Sequence, residues 1–309
     1  MKSHQNASTV LLLVSGDKLI LTILLFVSSI SYSHDFLPFE VNSKEYNFLK
    51  DADADFNGGN YKSAAINYNS STQIIKHFPY HQYKFSIALF LIKDTIRAKQ
   101  VFYNALKNGL LFDNIAYLKK SPLTKELSFN LNVYDLAKKT CYLDSLSLFS
   151  EIREKLIDLR EKDQTVRNSG YKSYTMSEID SSNRIVLDSI INLIGWPGYK
   201  EVGKLGAKSA WIIAQHSDND LVFQNKCLYL MKNEYLRNNT SSNHYAMLID
   251  RWLVNNGKKQ IFGSQVTFDE KLQKVISKPC EYPDQINFLR SLYLFGDLEG
   301  YLKMMQDKY

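Results

Sequence analysis

The chain has 309 residues, 45% hydrophobic and 23% charged, enough apolar side chain for a sizeable buried core. Only 13 glycines and 6 prolines stand beside 20 tyrosines and 17 phenylalanines, which argues against a turn-rich β fold and for helices. The formal charge of +6 is spread along the chain, with alternating signs in stretches such as EIREKLIDLREKDQ, so nucleic acid is not an expected partner.

At the N-terminus, Lys18 precedes the apolar run LILTILLFV (Leu19 to Val27), and Ser31 and Ser33 sit at the −3 and −1 positions of a cut after Ser33. This pattern predicts a signal peptide over 1–33 and export to the periplasm or the outside. The run is too short to span a bilayer alone. A membrane contact is expected only if the segment is retained as an anchor. No cysteine follows it to carry a lipid.

Residues 44–110 carry an internal period. Ala64 and Ala98 are 34 apart, as are Tyr68 and Phe102, and Pro79 falls between the two units. Small and aromatic residues at this spacing resemble the tetratricopeptide repeat, in which Ala lets two helices approach and an aromatic ring fills the gap. The leading Trp and Leu-Gly of that consensus are missing. Such a region, extended to 145 by further helix with a break at Ser121-Pro122, implies a protein or peptide partner.

A long amphipathic helix is predicted from 146 to 170, with Leu148, Ile152, Leu156 and Leu159 on one face. A polar linker, YKSYTMSEIDSSN, is expected after it. Further helices follow over about 178–194, stopped by Gly195-Trp196-Pro197, and over about 200–216, 220–237 and 244–255. KQIFGSQVTF reads as two short β segments around Gly263. The C-terminus reads as helical, with Leu289, Leu292 and Leu294 apolar contacts. The expected fold is thus all-α with a small β element near 259–268. A tetratricopeptide-like region, 44–145, precedes a helical domain, 146–309.

Several motifs are absent: G-x-S-x-G, G-x-x-x-x-G-K, G-x-G-x-x-G and H-E-x-x-H. His77 and His81 are four apart, but Pro79 between them disfavours a shared helical turn, so they read as a repeat boundary rather than metal ligands. Cys141, Cys227 and Cys280 make no metal pair or disulfide framework; they read as buried thiols, Cys227 as core, with one bridge and one leftover thiol the alternative in an oxidising compartment.

Over 151–265 a chain of short matches stands in order: Asp163-Gln164-x-x-Arg167, Asp180-x-x-Asn183, Gly195-Trp196-Pro197, Val202-Gly203, Ala210-Trp211 and Gln215-His216-x-Asp218. Gln224, Asp250-Arg251, Gln260 and Gly263-Ser264-Gln265 complete the set. This pattern resembles a bacterial family of unknown function (domain of unknown function 6624). The resemblance implies a domain and no reaction. Phe262 stands where that family usually has Tyr, Ile249 replaces Thr, and Ser264 replaces Thr.

The residues can also be read by themselves. Ala207, Trp211 and Gln215 recur every four residues on one helix face, and His216 lies beside Gln215 at the helix end. Asp218 follows, close enough to orient the imidazole, and a His beside a carboxylate can transfer protons near neutral pH. Helix capping is the bland account of the same two residues. Asp250-Arg251 reads as an ion pair or as an anion fork with a base beside it. The candidate catalytic set is therefore His216, Asp218, Asp250 and Arg251. Trp211, Gln215, Gln224, Gln265, Asp163 and Arg167 are the candidate ligand contacts, although Asp163 and Arg167 also suit an ion pair on a solvated face. Trp196 is expected to pack under its turn. No cofactor and no metal ligand is assigned. A divalent ion held by His216, Asp218 and Asp250 stays open, as does a small anionic ligand. Three functions follow: a binding scaffold, a hydrolase-like enzyme using His216 and Asp218, or a polar set that only holds the fold.

Overall fold

The computed structural model describes residues 36–108, 110, 148–168 and 173–308. The expected signal segment, the helix break at Ser121-Pro122 and Cys141 lie outside them. Twelve α-helices and one two-stranded sheet make up the described residues, an all-α fold with a small β element.

The first helices are α1 (Lys44–Asn57), α2 (Tyr61–Ser70), α3 (Thr72–Ile75), α4 (Pro79–Leu91) and α5 (Thr95–Lys107). Ser43 caps α1 by accepting the Tyr46 N–H, and Asp94 caps α5 through the Arg97 N–H. Ala64, Tyr68, Ala98 and Phe102, the period-34 residues, are all buried. Pro79 does not merely punctuate: it opens α4 at the first helical position, where a missing N–H costs nothing. His81 is therefore inside α4, buried, 3.6 Å from Asp53, while His77 precedes the helix.

The remaining helices are α6 (Ser150–Asn168), α7 (Ser173–Ile194), α8 (Tyr199–Gln215), α9 (Leu221–Leu236) and α10 (Ser242–Asn255). Strand β1 (Val266–Asp269) pairs antiparallel with β2 (Lys274–Ser277), and helices α11 (Ile286–Leu292) and α12 (Leu298–Gln306) close the chain. Helix α6 packs along α8 and α7, and α10 packs along α8 and α9. The two groups of helices meet through aromatic rings. Phe78 packs edge-on to Tyr293, Tyr46 packs edge-on to Phe288, and the Tyr235 hydroxyl donates to the His77 carbonyl at 3.3 Å.

Four expectations change. Leu148 lies before α6 and is 74% exposed, so the buried stripe is Leu156, Leu159, Asp163 and Val166. The polar linker is helix from Ser173 onward, because Asp180 and Asn183 find partners on α6 and no longer need solvent. The β segments do not flank Gly263: the hairpin lies at 266–277, and Gln260 forms only an isolated bridge with Cys280. Leu294 adopts a positive φ of 61° and is exposed, whereas Leu289 and Leu292 are buried. Helix α8 is also interrupted. Gly203 has φ 68° and ψ 174°, a backbone shape open essentially to glycine alone. Cys227 is a buried free thiol and Cys280 a free thiol of intermediate exposure.

Candidate functional site

The predicted site residues do not converge on one pocket. The turn 215–218 ties some of them to α6, through His216, and others to α10, through Asp218.

The first cluster is built on α6. Leu156, Leu159, Asp163 and Val166 recur at i, i+3, i+7 and i+10, so Asp163 occupies an apolar position and is only 1% exposed. It is not on a solvated face. A buried carboxylate must be paired, and three donors reach it. Its Oδ1 accepts from His216 Nδ1 at 2.8 Å and from Arg167 Nη1 at 2.7 Å, and its Oδ2 accepts from Gln164 Nε2 at 2.6 Å. Arg167 Nη2 also donates to both oxygens of Asp180 at 2.9 Å. Asn183 Nδ2 donates to the Leu159 carbonyl at 3.2 Å and fastens α7 to α6.

Burial opposes ionisation of Asp163, but the hydrogen bond and charge of His216, with Gln164 and Arg167, hold its carboxyl below the usual range. An ionised Asp163 can only accept. His216 Nδ1 therefore carries a proton, and whenever the ring is neutral Nε2 is the acceptor. Among the described residues Nε2 has no hydrogen-bond partner, and His216 lines a small pocket of about 150 Å³ with Asp180, Ser181, Arg184, Asn219 and Asp220. Burial pushes the Asp180 carboxyl above the ordinary range, against the hydrogen bond from Arg167. Arg184 reaches Asp220 at 3.0 Å, and Asp220 also caps α9 through the Phe223 N–H. Asp163, Asp180 and His216 each place one possible ligand atom within 4.8 Å of the others. Arg167 already supplies the positive charge between the two carboxylates.

The second cluster is built on α10. Asp218 does not orient His216. It faces Arg251, which donates to Oδ1 through Nε at 2.8 Å and to Oδ2 through Nη2 at 2.5 Å. Asn255 Nδ2 adds a bond to Asp218 at 2.8 Å, and Gln224 Nε2 one at 3.2 Å. Burial works against ionised Asp218, but these donors, Arg251 foremost, hold it below the usual range. Arg251 reaches Gln265 only at 3.5 Å. Gln224 also donates to the carbonyls of Ala214 and Gln215, so it closes the C-terminal end of α8 rather than meeting a ligand.

Asp250 does not pair with Arg251. Adjacent residues on a helix point about 100° apart, and Asp250 points inward, with no exposure at all. Its Oδ1 accepts from the N–H groups of Ile261 (2.8 Å) and Phe262 (3.0 Å), and its Oδ2 from that of Ser264 (2.8 Å). Gly263, inside this cradle, has φ 68°, and an added Cβ would stand 2.9 Å from Ile286 Cδ1. Gln260 braces the same loop, donating to Gln265, Ser277 and Lys278 and accepting the Gln265 N–H at 2.8 Å. Buried Arg290 donates to the Phe262 carbonyl at 2.7 Å. The cation site imagined from His216, Asp218 and Asp250 is therefore not assembled: each of the three is spent on a different element.

Trp211 stacks face to face on His244 of α10, with centroids 4.0 Å apart and planes 6° off parallel. Burial lowers the His244 pKa to about 4, and Lys208 adds to this, so the stacked ring is neutral. One turn on, Gln215 is 6% exposed and its Nε2 has no partner among the described residues. Trp196 is buried under its turn, as expected.

The carboxylate beside His216 is thus Asp163 and not the expected Asp218, and Arg184, absent from the expected set, shares its pocket. The signal for Asp163 was present: an acid at the third position of a buried stripe. Arg184 lies one turn from Asp180, which is the corresponding hint on α7.

A family described only as a family of unknown function (DUF6624) has a model that matches residues 151–309. No curated protein and no solved structure matches the chain.

Proposed function

Because the chain belongs to the DUF6624 family, which brings no reaction with it, we propose from the site geometry that it is an exported helical binding protein. Its C-terminal domain takes a small polar ligand in the pocket at His216. The observation that carries this reading is the Asp163–His216 pair. A buried carboxylate fixes the imidazole tautomer, and Nε2 is left as an acceptor beside a pocket. The ligand is one that donates a hydrogen bond or proton to Nε2 and meets Arg184 and Asp180 on the other wall.

The same pair favours a second reading, an acid/base enzyme with His216 as the base and Asp163 in the orienting role first given to Asp218. The buried Ser217 hydroxyl is spent on the Ile213 carbonyl at 2.8 Å and supplies no nucleophile. For Asp218, Asp250, Arg251 and Gln265, the hydrogen bonds support a role in holding α8, α10 and the 260–265 loop together.

The remaining parts of the proposal rest on other features. The buried period-34 residues support a tetratricopeptide-like pair of units, and a groove lined by Tyr61, Ile66, Leu91 and Ile92 is where a peptide partner would lie. Export rests on the apolar run before Ser33. Among the described residues no helix is long and apolar enough to cross a membrane.

A metabolite panel read by thermal shift, on wild type and His216→Ala side by side, tests the site. A ligand that stabilises wild type and not the variant supports the proposal. Stabilisation equal in both, or a variant that fails to fold, removes it. Turnover of any panel compound that His216→Gln abolishes would select the enzyme reading.

A further inference from the structure

A second cavity shares no lining residue with the pocket at His216. It has a volume of about 190 Å³ and is only partly open. The turn Phe78-Pro79-Tyr80 forms one wall, and Tyr199 and Tyr235 belong to the wall of α8 and α9. The segment from Asn238 to Asn243, which leads from the end of α9 into the first turn of α10, supplies the polar edge, with Thr240, Ser241 and Ser242.

Three properties of this lining select a ligand class. First, among the described residues it contains no Asp, Glu, Lys or Arg. An ionic ligand would lose its hydration there without finding a counter-charge, so the occupant is neutral. His77, at the edge, has its pKa lowered, chiefly by burial, and stays uncharged near neutral pH. Second, the lining combines aromatic rings (Phe78, Tyr80, Tyr199, Tyr235) with hydroxyl and amide groups (Thr240, Ser241, Ser242, Asn243). Such a lining suits a ring with an apolar face and a rim of hydroxyl groups, each able to donate and accept. Third, the cavity is below the roughly 300–1,000 Å³ of sites for drug-sized molecules, so it takes one ring.

The cavity edge is also built at a backbone cost. Asn238 and Leu294, both lining it, have φ of 56° and 61°. Leucine rarely adopts this left-handed conformation, and such residues persist where the surroundings impose them. The Tyr235 hydroxyl, donating to the His77 carbonyl, ties the two walls together.

We propose that the cavity between the Phe78-Pro79-Tyr80 turn and the Asn238–Asn243 segment is a binding site for a neutral monosaccharide ring. The inference is independent of the His216 site. A ligand of about a dozen heavy atoms with no charge pairing binds weakly, on the order of millimolar.

The test is a titration of the full chain with glucose, galactose, mannose and N-acetylglucosamine, followed by protein-observed NMR, with glucuronate and glucosamine as charged counterparts. One neutral sugar should saturate below about 10 mM and shift resonances of Tyr199, Tyr235 and Asn243. The charged sugars should not. Asn243→Leu, which keeps the branched outline of the side chain and removes the amide, and Tyr80→Ala, which removes a wall, should each weaken binding about tenfold. No saturable neutral sugar, equal binding of the charged ones, or shifts confined to other residues in wild type would each overturn the proposal. The wild-type map decides the matter even if a variant fails to fold. A non-saturating effect shared by all the sugars is general exclusion from the surface and also counts against the site.

Discussion

Asp250→Asn is the most discriminating substitution in the C-terminal domain. The carboxylate accepts three backbone N–H groups in complete burial, two on Oδ1 and one on Oδ2. An asparagine keeps one oxygen, which can still serve Ile261 and Phe262, but its amide then meets the Ser264 N–H donor to donor. The change removes one charge-assisted bond, worth about 1.5–3 kcal/mol, and strands one buried N–H, at about 1–3 kcal/mol. The expected loss is therefore about 2.5–6 kcal/mol, a fall in Tm of roughly 5–24 °C for a unit of this size. Urea unfolding gives the first quantity and hydrogen exchange at Ile261, Phe262 and Ser264 shows whether the loop has opened. Arg251→Ala is the comparison. Its pair with Asp218 is 31% and 39% exposed and solvent-screened, so about 1 kcal/mol or less is expected. If Asp250→Asn costs less than Arg251→Ala, or less than about 1 kcal/mol, the reading of Asp250 as the loop's anchor is refuted.

Further outcomes are expected. Asp163 has a lowered folded pKa, so its contribution to stability is present above the unfolded value of about 3.9 and is lost as pH falls through the folded value. Asp163→Asn should flatten that acid limb of the urea-stability profile, and an unchanged limb would count against the pairing. His244, lowered from 6.5 to about 4, should make the fold lose stability as pH falls from about 6.5 towards 4, because protonation is favoured in the unfolded chain. Trp211 fluorescence should change over the same acid range, and His244→Phe should remove both effects. Gly203→Ala places a Cβ in a conformation that only glycine tolerates well, and a loss of about 1–3 kcal/mol by thermal denaturation is expected.

Element types were legible because periodicity and punctuation are local. The Gly195-Trp196-Pro197 stop and the Asn255/Gly257 end of α10 are marked by residues whose backbone preferences act without tertiary help. The start of α7 was not legible. Residues 173–183 look like solvent-facing polar chain until Asp180 meets Arg167 and Asn183 meets Leu159, both contacts made across helices. Pairing within the candidate site failed for the same reason. Proximity in sequence suggested Asp218 for His216, but partners were drawn from 53 residues away for His216 and 33 for Asp218. Spacing along one helix says which face a residue is on, not which helix that face meets. Burial of Asp163 was readable in principle, since the stripe Leu156, Leu159, Val166 has one acid in register. Phe262 lies buried against Tyr293 and Phe295, so aromatic packing explains its place with no phenol needed.

The turn after α8 carries a constraint of length rather than of composition. His216 reaches back to α6, Ser217 returns to the Ile213 carbonyl, and Asp218 reaches forward to α10. One added or deleted residue would turn the imidazole and the carboxylate away from both sets of partners at once. A substitution in this turn costs the contacts of one side chain, whereas a change in its length costs both sets together.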